Sequence, residues 1–290
     1  MVANDFLRKN NSYLAAGNDC ESAGIVIFGV PMDWTASFRA GSREGPADIR
    51  KFSYALEEYS VYQGRDLRDA SFFDAGDVEL PFGDVEGSLR RIGKVVGSIA
   101  SAGKLPFMLG GEHLASLPAV KVLKDLYPDL AVVQFDAHAD LRDEYLSSKL
   151  SHATVMRRVQ EIIGRDNLYQ FGIRSGDRDE FGRGIAPNMY LYEVYGPFRR
   201  VLPDLKGRPV YVTLDIDVID PAYAPGTGTP EPGGCTPMEM WETLHLLSEL
   251  NVVGFDLVEV CPACDHAGVT SILAAKLVRE AVLSIQKRKI

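Results

Sequence analysis

The sequence predicts an α/β fold in which helices cover both faces of a mostly parallel sheet of eight strands. Three observations lead there. Short β-rich apolar runs recur along the chain, helix-length amphipathic segments separate most of them, and the runs are continuously apolar, as in strands buried on both faces. No linker-like, low-complexity or repeated stretch interrupts this alternation, so residues 1–290 are expected to form a single domain.

In chain order the expected strands are "GIVIFGV" (24–30), "SFFDAG" (71–76), "LPFML" (105–109), "LAVVQFD" (130–136), "LYQFGI" (168–173), "MYLY" (189–192), "PVYVTLDID" (209–217) and "VVGFDLVEV" (252–260). Between them, "GSLRRIGKVVGSIASAG" and "TPMEMWETLHLLSEL" carry apolar residues at helical spacing. The second also has start signals: Thr236 as N-cap, Pro237 in the first turn and Glu239 to close a capping box.

With 46% hydrophobic residues in 290, the chain has enough apolar material for a sizeable core. Its formal charge of −9 disfavours nucleic acid and anionic membrane surfaces and suits a small cationic substrate. No apolar run approaches the roughly 20 residues of a membrane span, and the N-terminus lacks a secretory h-region, so a cytoplasmic protein is expected. Four cysteines in a chain of this length do not suggest a disulfide framework. The "CPAC" pair, Cys261 and Cys264, is read as packing or loop cysteines, with redox chemistry or metal binding as the alternative.

The chemistry gathers at strand ends. In "AVVQFDAHAD", Asp136, His138 and Asp140 stand at alternate positions, so an extended chain presents them on one face. Two carboxylate charges roughly 4 Å apart repel by about 4 kcal/mol in a protein-like dielectric, which calls for a cation between them. Asp and His supply the oxygen and nitrogen ligands that divalent metals accept. "YVTLDIDVIDP" repeats the device with Asp215 and Asp217, and "LPFMLGGEHLASLP" delivers His113 at a helix start after a Gly110–Gly111 turn. Four carboxylates balance two divalent cations while two neutral imidazoles complete the shells. Such a pair, roughly 3.5–4 Å apart, can activate a water between the ions, and the carboxylate-rich set leans towards manganese.

At these residues the chain resembles the ureohydrolase family of arginases and agmatinases. "GGEHLAS", "FDAHADL", "SHAT", "VTLDIDVIDPAYAPGTGTPEPGG" and "VGFDLVEVCPACDHAG" occur in the family's order, and "VPMDWTASFRAGSREGP" is similar to the agmatinase branch. The resemblance implies a three-layer fold around an eight-stranded sheet, trimers or hexamers, and two Mn2+ per subunit. It divides His113, Asp136, Asp140 and Asp217 or Asp215 between the ions, with His138 completing one shell. It further implies attack of a metal-bridging hydroxide on a guanidinium carbon, with Asp140 orienting the hydroxide, Glu259 binding the guanidinium and His152 shuttling protons to the leaving amine.

Arg142 stands where arginases keep an Asn that reads the substrate carboxylate, so agmatine, cleaved to putrescine and urea, is expected over arginine; guanidinobutyrate remains an alternative. Ala153 replaces a common Gly, and Cys261 and Cys264 occupy positions where agmatinases often carry Ser and Tyr. From other classes, a single-zinc amide hydrolase would need fewer carboxylates, and a catalytically silent scaffold would show replaced ligand types.

Overall fold

All eight expected strands pair in parallel in the computed structural model, which describes residues 4–9, 11–17, 19–182 and 186–286. The strands are β1 (Leu7–Arg8), β2 (Ile25–Val30), β3 (Tyr59–Ser60), β4 (Arg65–Asp66), β5 (Phe72–Val78), β6 (Leu105–Gly110), β7 (Ala131–Phe135), β8 (Leu168–Ile173), β9 (Asn188–Leu191), β10 (Pro209–Asp215) and β11 (Asn251–Val258). The main sheet runs β1-β5-β2-β6-β11-β10-β7-β8-β9. Its ninth strand, β1, was not expected; it lies antiparallel on β5, and at two residues it is too short to show a period. The small β3–β4 hairpin was missed for the same reason.

Alternation along each strand divides the core in two. Ile25, Ile27, Phe107, Leu109, Val133 and Phe135 face one layer, formed by α1 (Gly45–Ser53), α5 (Tyr195–Leu205), α6 (Pro237–His245) and α7 (Val269–Ile285). Val26, Phe28, Met108 and Val132 face the other, formed by α2 (Val85–Ser101), α3 (Ser116–Leu126) and α4 (Val155–Ile163). Both faces are buried, which explains why the strands read as unbroken apolar runs. Among the described residues, no helix is long and apolar enough to cross a membrane.

Local signals hold with one adjustment. Thr236 caps α6 by accepting from the Glu239 N–H at 3.2 Å, and Pro237 opens the helix. Glu239 does not close the box; its Oε1 instead accepts from the Tyr195 N–H at the start of α5, 3.3 Å away. A neighbouring helix end thus takes the carboxylate that sequence spacing assigned to its own turn.

One buried ionic network lies outside the sequence expectations. The Arg50 side chain on α1 has no solvent exposure and bonds Asp74 through Nε (2.8 Å) and Nη2 (2.9 Å), and Asp77 through Nη1 (2.5 Å). Asp74 also accepts from the Tyr13 and Gly76 N–H groups. Removing the guanidinium would strand buried carboxylates, so Arg50→Met is expected to lose about 3–5 kcal/mol in urea denaturation. A loss below about 1 kcal/mol would show that the network relaxes to water.

The sheet order sets up the site. β6, β11, β10 and β7 lie side by side, and their carboxyl ends open on one side of the sheet, where ligands of α/β proteins bind. Glycine is required at the end of β6: a Cβ on Gly111 would come within 1.9 Å of the Met32 carbonyl oxygen, which accepts from the Glu112 N–H at 2.7 Å. This close passage starts the turn that delivers His113.

Candidate metal centre and active site

His113 opens a 3-10 turn (His113–Ala115) after β6, and its ring is buried. Its Nδ1 lies 3.1 Å from Asp136, 3.3 Å from Asp140 and 3.4 Å from Asp215. On the far side of Asp136, His138 Nδ1 is 3.7 Å from Asp136 and 2.9 Å from Asp217. All six expected residues therefore converge. Five of them form two overlapping sets of a size to hold a metal ion, His113/Asp136/Asp140 and Asp136/His138/Asp217, with Asp136 common to both, while Asp215 stands beside His113 outside both sets.

The local backbone differs from the simple alternating strand. β7 ends at Phe135, and residues beyond it are kept alongside the continuation of β8 by the His138–Ser175 bridge. Asp140 turns to φ 54°, a costly conformation for a residue with a Cβ and one that clusters at functional sites. β10 ends at Asp215, and Asp217 lies in a 3-10 turn (Ile216–Val218), its N–H donated to Asp215 Oδ1 at 2.9 Å. Turn geometry, rather than strand alternation, aims this second pair.

Hydrogen-bond bookkeeping tests whether a cation fits. Thr213 Oγ1 donates its proton to Asp256 Oδ1 (2.5 Å), so towards His113 Nε2, 2.9 Å away, it can only accept. His113 therefore keeps a proton on Nε2, and in its neutral, metal-ligating form Nδ1 is the atom left to face the three carboxylates. That atom is buried without a hydrogen-bond partner. An orphaned ring nitrogen among carboxylate oxygens, fixed from behind by a Thr–Asp pair, is the arrangement of a metal-ligating histidine.

The acid–base balance of the cation-free cluster is consistent with this. Burial lowers the affinity of His113 for a second proton, but Asp136, Asp140 and Asp215 override it and hold its pKa well above the usual value. His138 is likewise opposed by burial but raised to about 12 by Asp217 and Asp136. Burial, then Asp217 and Asp136, pushes Asp215 well above the carboxylate range; burial and Asp136 bring Asp140 to about 7. Without a cation, protons supply the missing positive charge.

Beside the cluster lies an open cavity of about 180 Å³, lined also by Ser37, Arg142, Tyr145, His152, Glu180 and Glu259. Glu259 follows β11 at φ 64°; its N–H donates to the Gly111 carbonyl (2.8 Å), and its Oε1 accepts the His113 N–H (2.8 Å). Burial and then the charge of Glu112 raise its pKa to about 8. His152 sits in a 3-10 turn (His152–Thr154), against Tyr145 and between Thr35 and Ser37. Burial, with the positive charge of His138 and His113, lowers its pKa to about 4, so the ring is neutral at neutral pH.

Sequence reading overlooked a support for His152. Glu112 Oε2 accepts from both the N–H (2.9 Å) and the hydroxyl (2.6 Å) of Thr35. With its proton committed, Thr35 Oγ1 accepts from the His152 N–H (3.1 Å) and faces Nδ1 at 3.4 Å, leaving Nε2 towards Ser37. The acidic neighbour in "GGEH" was the available signal for Glu112. Asp256, a charge inside the apolar run "VVGFDLVEV", was the signal for the Thr213 support. Arg142 is also engaged: its Nε is 3.3 Å from Asp177 and 3.4 Å from Glu180, and its guanidinium stacks on Tyr145 at 4.7 Å.

Known proteins share this chain over nearly its whole length. It is 51% identical over 267 residues to an agmatinase of Bacillus anthracis, covering 91% of this chain and 92% of that one. With an agmatinase of Bacillus subtilis it shares 50% over 279 residues, covering 95% and 96%. The solved agmatine ureohydrolase of Thermoplasma volcanium superposes with a TM-score of 0.86 at 36% identity, covering 96% of this chain and 95% of that one. A profile described as the Arginase family matches residues 23–284, a span that contains the whole acidic centre, and the chain belongs to that family.

Proposed function

We propose that this chain hydrolyses agmatine to putrescine and urea with two Mn2+ ions held by His113, Asp136, Asp140, Asp215, His138 and Asp217. The observation that carries this reading is the buried Nδ1 of His113, without a hydrogen-bond partner, facing three carboxylates in the cavity that Glu259 also lines. The names of the agmatinase relatives support the substrate. So does Arg142: its Nε already faces Asp177 and Glu180 and its guanidinium stacks on Tyr145, which offsets part of the positive charge that a substrate carboxylate would seek. We further propose one ureohydrolase domain over residues 1–290, trimeric or hexameric assembly, and a cytoplasmic location.

When bound, the cations supply an activated water as nucleophile and neutralise the carboxylates around it. The protein's own residues do the rest. Glu259 gives up its proton as the guanidinium cation arrives beside it, receives that group by charge-assisted hydrogen bonds and turns its planar face to the centre. Asp140 accepts a hydrogen bond from the attacking water and fixes its direction. As the carbon becomes tetrahedral, the departing amine needs a proton, and His152, neutral at rest with its proton on Nδ1, takes one from solvent at Nε2 and passes it to the amine. Thr35, tied to Glu112, keeps the Nδ1 proton in place.

Urea release from agmatine, arginine and guanidinobutyrate, measured on stripped protein with manganese restored, tests the reading. Agmatine is expected to exceed the others by at least a hundredfold in kcat/KM, since repelling or failing to pair one charge costs about 3 kcal/mol at such a site. Comparable rates with guanidinobutyrate would reverse the substrate assignment.

Metal uptake should depend on pH with a defined sign. His113 and His138 have raised pKa values and are protonated in the cation-free site, so loading must expel those protons. Manganese affinity is expected to rise with pH between 6 and 8 on the order of tenfold or more per unit. Calorimetry in buffers of different ionisation enthalpy reads the protons released; pH-independent affinity would contradict this protonation state.

A further inference from the structure

The proposed reaction makes no use of the two sulfurs just past Glu259. Cys261 is buried and Cys264 partly exposed, and both are free thiols. Their Sγ atoms are 3.3 Å apart, and the intervening 3-10 turn (Pro262–Cys264) is closed by the Cys264 N–H donating to the Cys261 carbonyl at 3.0 Å. The backbone is already folded for a bridge. Closing the bridge brings sulfur to sulfur at about 2.05 Å, from the present 3.3 Å.

A metal does not explain the pair. Asp265 is occupied by the N–H groups of Thr270 (2.6 Å) and Ala267 (3.2 Å). Among the described residues, no third ligand atom joins the two sulfurs in a metal-sized set.

We propose that Cys261 and Cys264 are a reversible dithiol–disulfide site whose oxidation loosens the wall of the neighbouring cavity. A low-molecular-weight disulfide is the oxidant. Cys264, the accessible partner, loses its proton to solvent and attacks one sulfur of that disulfide, releasing one small thiolate. Cys261, deprotonated in turn, attacks the Cys264 sulfur and releases the second. Two electrons pass from the pair to the small disulfide, which leaves as two thiols once its thiolates take up the protons. Burial and the Cys264 contact push the Cys261 thiol up to about 12, which makes ring closure the slower step.

The coupling runs through the loop between β2 and α1. Reduced Cys261 directs its S–H at the Ala40 carbonyl, 3.7 Å away, and its sulfur lies 2.9 Å from where a Cβ on Gly41 would be. The same loop carries Thr35 and Ser37 to His152, and Arg39 to the Gly228 carbonyl at 3.2 Å. Bridging removes the S–H that points at Ala40, so that loop loses a fastening. The sulfur chemistry stands by itself; its effect on turnover rests on the proposed hydrolysis of agmatine.

The test incubates the manganese-loaded full chain with glutathione disulfide, alkylates the remaining thiols and maps peptides by mass. Expected is a 261–264 peptide lighter by two hydrogens and unalkylated, restored by dithiothreitol. With it, kcat/KM for agmatine should fall about threefold, the lower end for one lost hydrogen bond because sulfur donates weakly. Cys264→Ser should keep the reduced enzyme's rate and lose the sensitivity. Alkylation at both cysteines, or a lasting glutathione adduct on Cys264, would overturn the site. A complete bridge with unchanged kcat/KM would overturn the coupling. Because the mass readout does not depend on substrate, inactivity towards agmatine would count against the functional reading alone.

Discussion

Asp217→Asn is expected to lose at least a hundredfold in urea release and about one of two manganese ions per subunit, while keeping the fold. The substitution is nearly isosteric, and Asn retains the carbonyl that accepts the Ala137 N–H at 3.0 Å. What changes is the other side of the group. Asp217 Oδ2 lies 2.9 Å from His138 Nδ1, where an amide would replace negative charge with N–H donors. A cation there would lose a charged ligand and meet the positive end of a dipole. Since disturbing an outer partner of a ligand typically costs about 10–100-fold, losing the ligand itself should cost at least the upper figure. Elemental analysis beside a urea assay checks it. Full metal content with normal turnover would remove Asp217 from the centre.

Glu259→Gln should separate substrate capture from metal binding. Gln can still accept the His113 N–H that now bonds Glu259 Oε1 at 2.8 Å, so the β11 end and the turn after β6 should stay as they are. The charge opposite the guanidinium is lost. Breaking one partner of a sheltered charged pair costs about 2–5 kcal/mol, so kcat/KM for agmatine should fall on the order of 10²–10³-fold with manganese content unchanged. A drop in metal content of the same size would mean that Glu259 supports the centre rather than the substrate.

The contrast between these residues shows what was legible beforehand. Asp136, His138 and Asp140 could be read together from alternate spacing after an apolar run, although β7 ends at Phe135 and Asp140 reaches the centre through a left-handed turn at φ 54°. Asp215 and Asp217 have the same spacing, yet a 3-10 turn aims them. The convergence was foreseen there, but the device was not. Glu239 failed more plainly: its spacing from Thr236 fits a capping box, but the Tyr195 N–H of another helix takes its carboxylate.

Supports were the least legible. Thr213, Asp256, Thr35 and Glu112 act on histidines 100, 143, 117 and 40 positions away in the chain, and no local pattern encodes such pairings. Arg50 with Asp74 and Asp77 is similar: an arginine on a short helix reads as a surface residue until the sheet places two carboxylates beneath it.

The amino-acid order by itself determined the eight parallel strands and their layers, because a strand buried on both faces must be continuously apolar. It also placed acids and imidazoles at the strand ends, where unpaired charge needs a cation. Only the tertiary structure decided that β6, β11, β10 and β7 lie side by side, so that ligand types far apart in sequence meet within 4 Å. It also decided which ring nitrogen of His113 faces the acids and brought two sulfurs together just past Glu259, since hydrogen-bond direction and close contact depend on distance in space rather than along the chain.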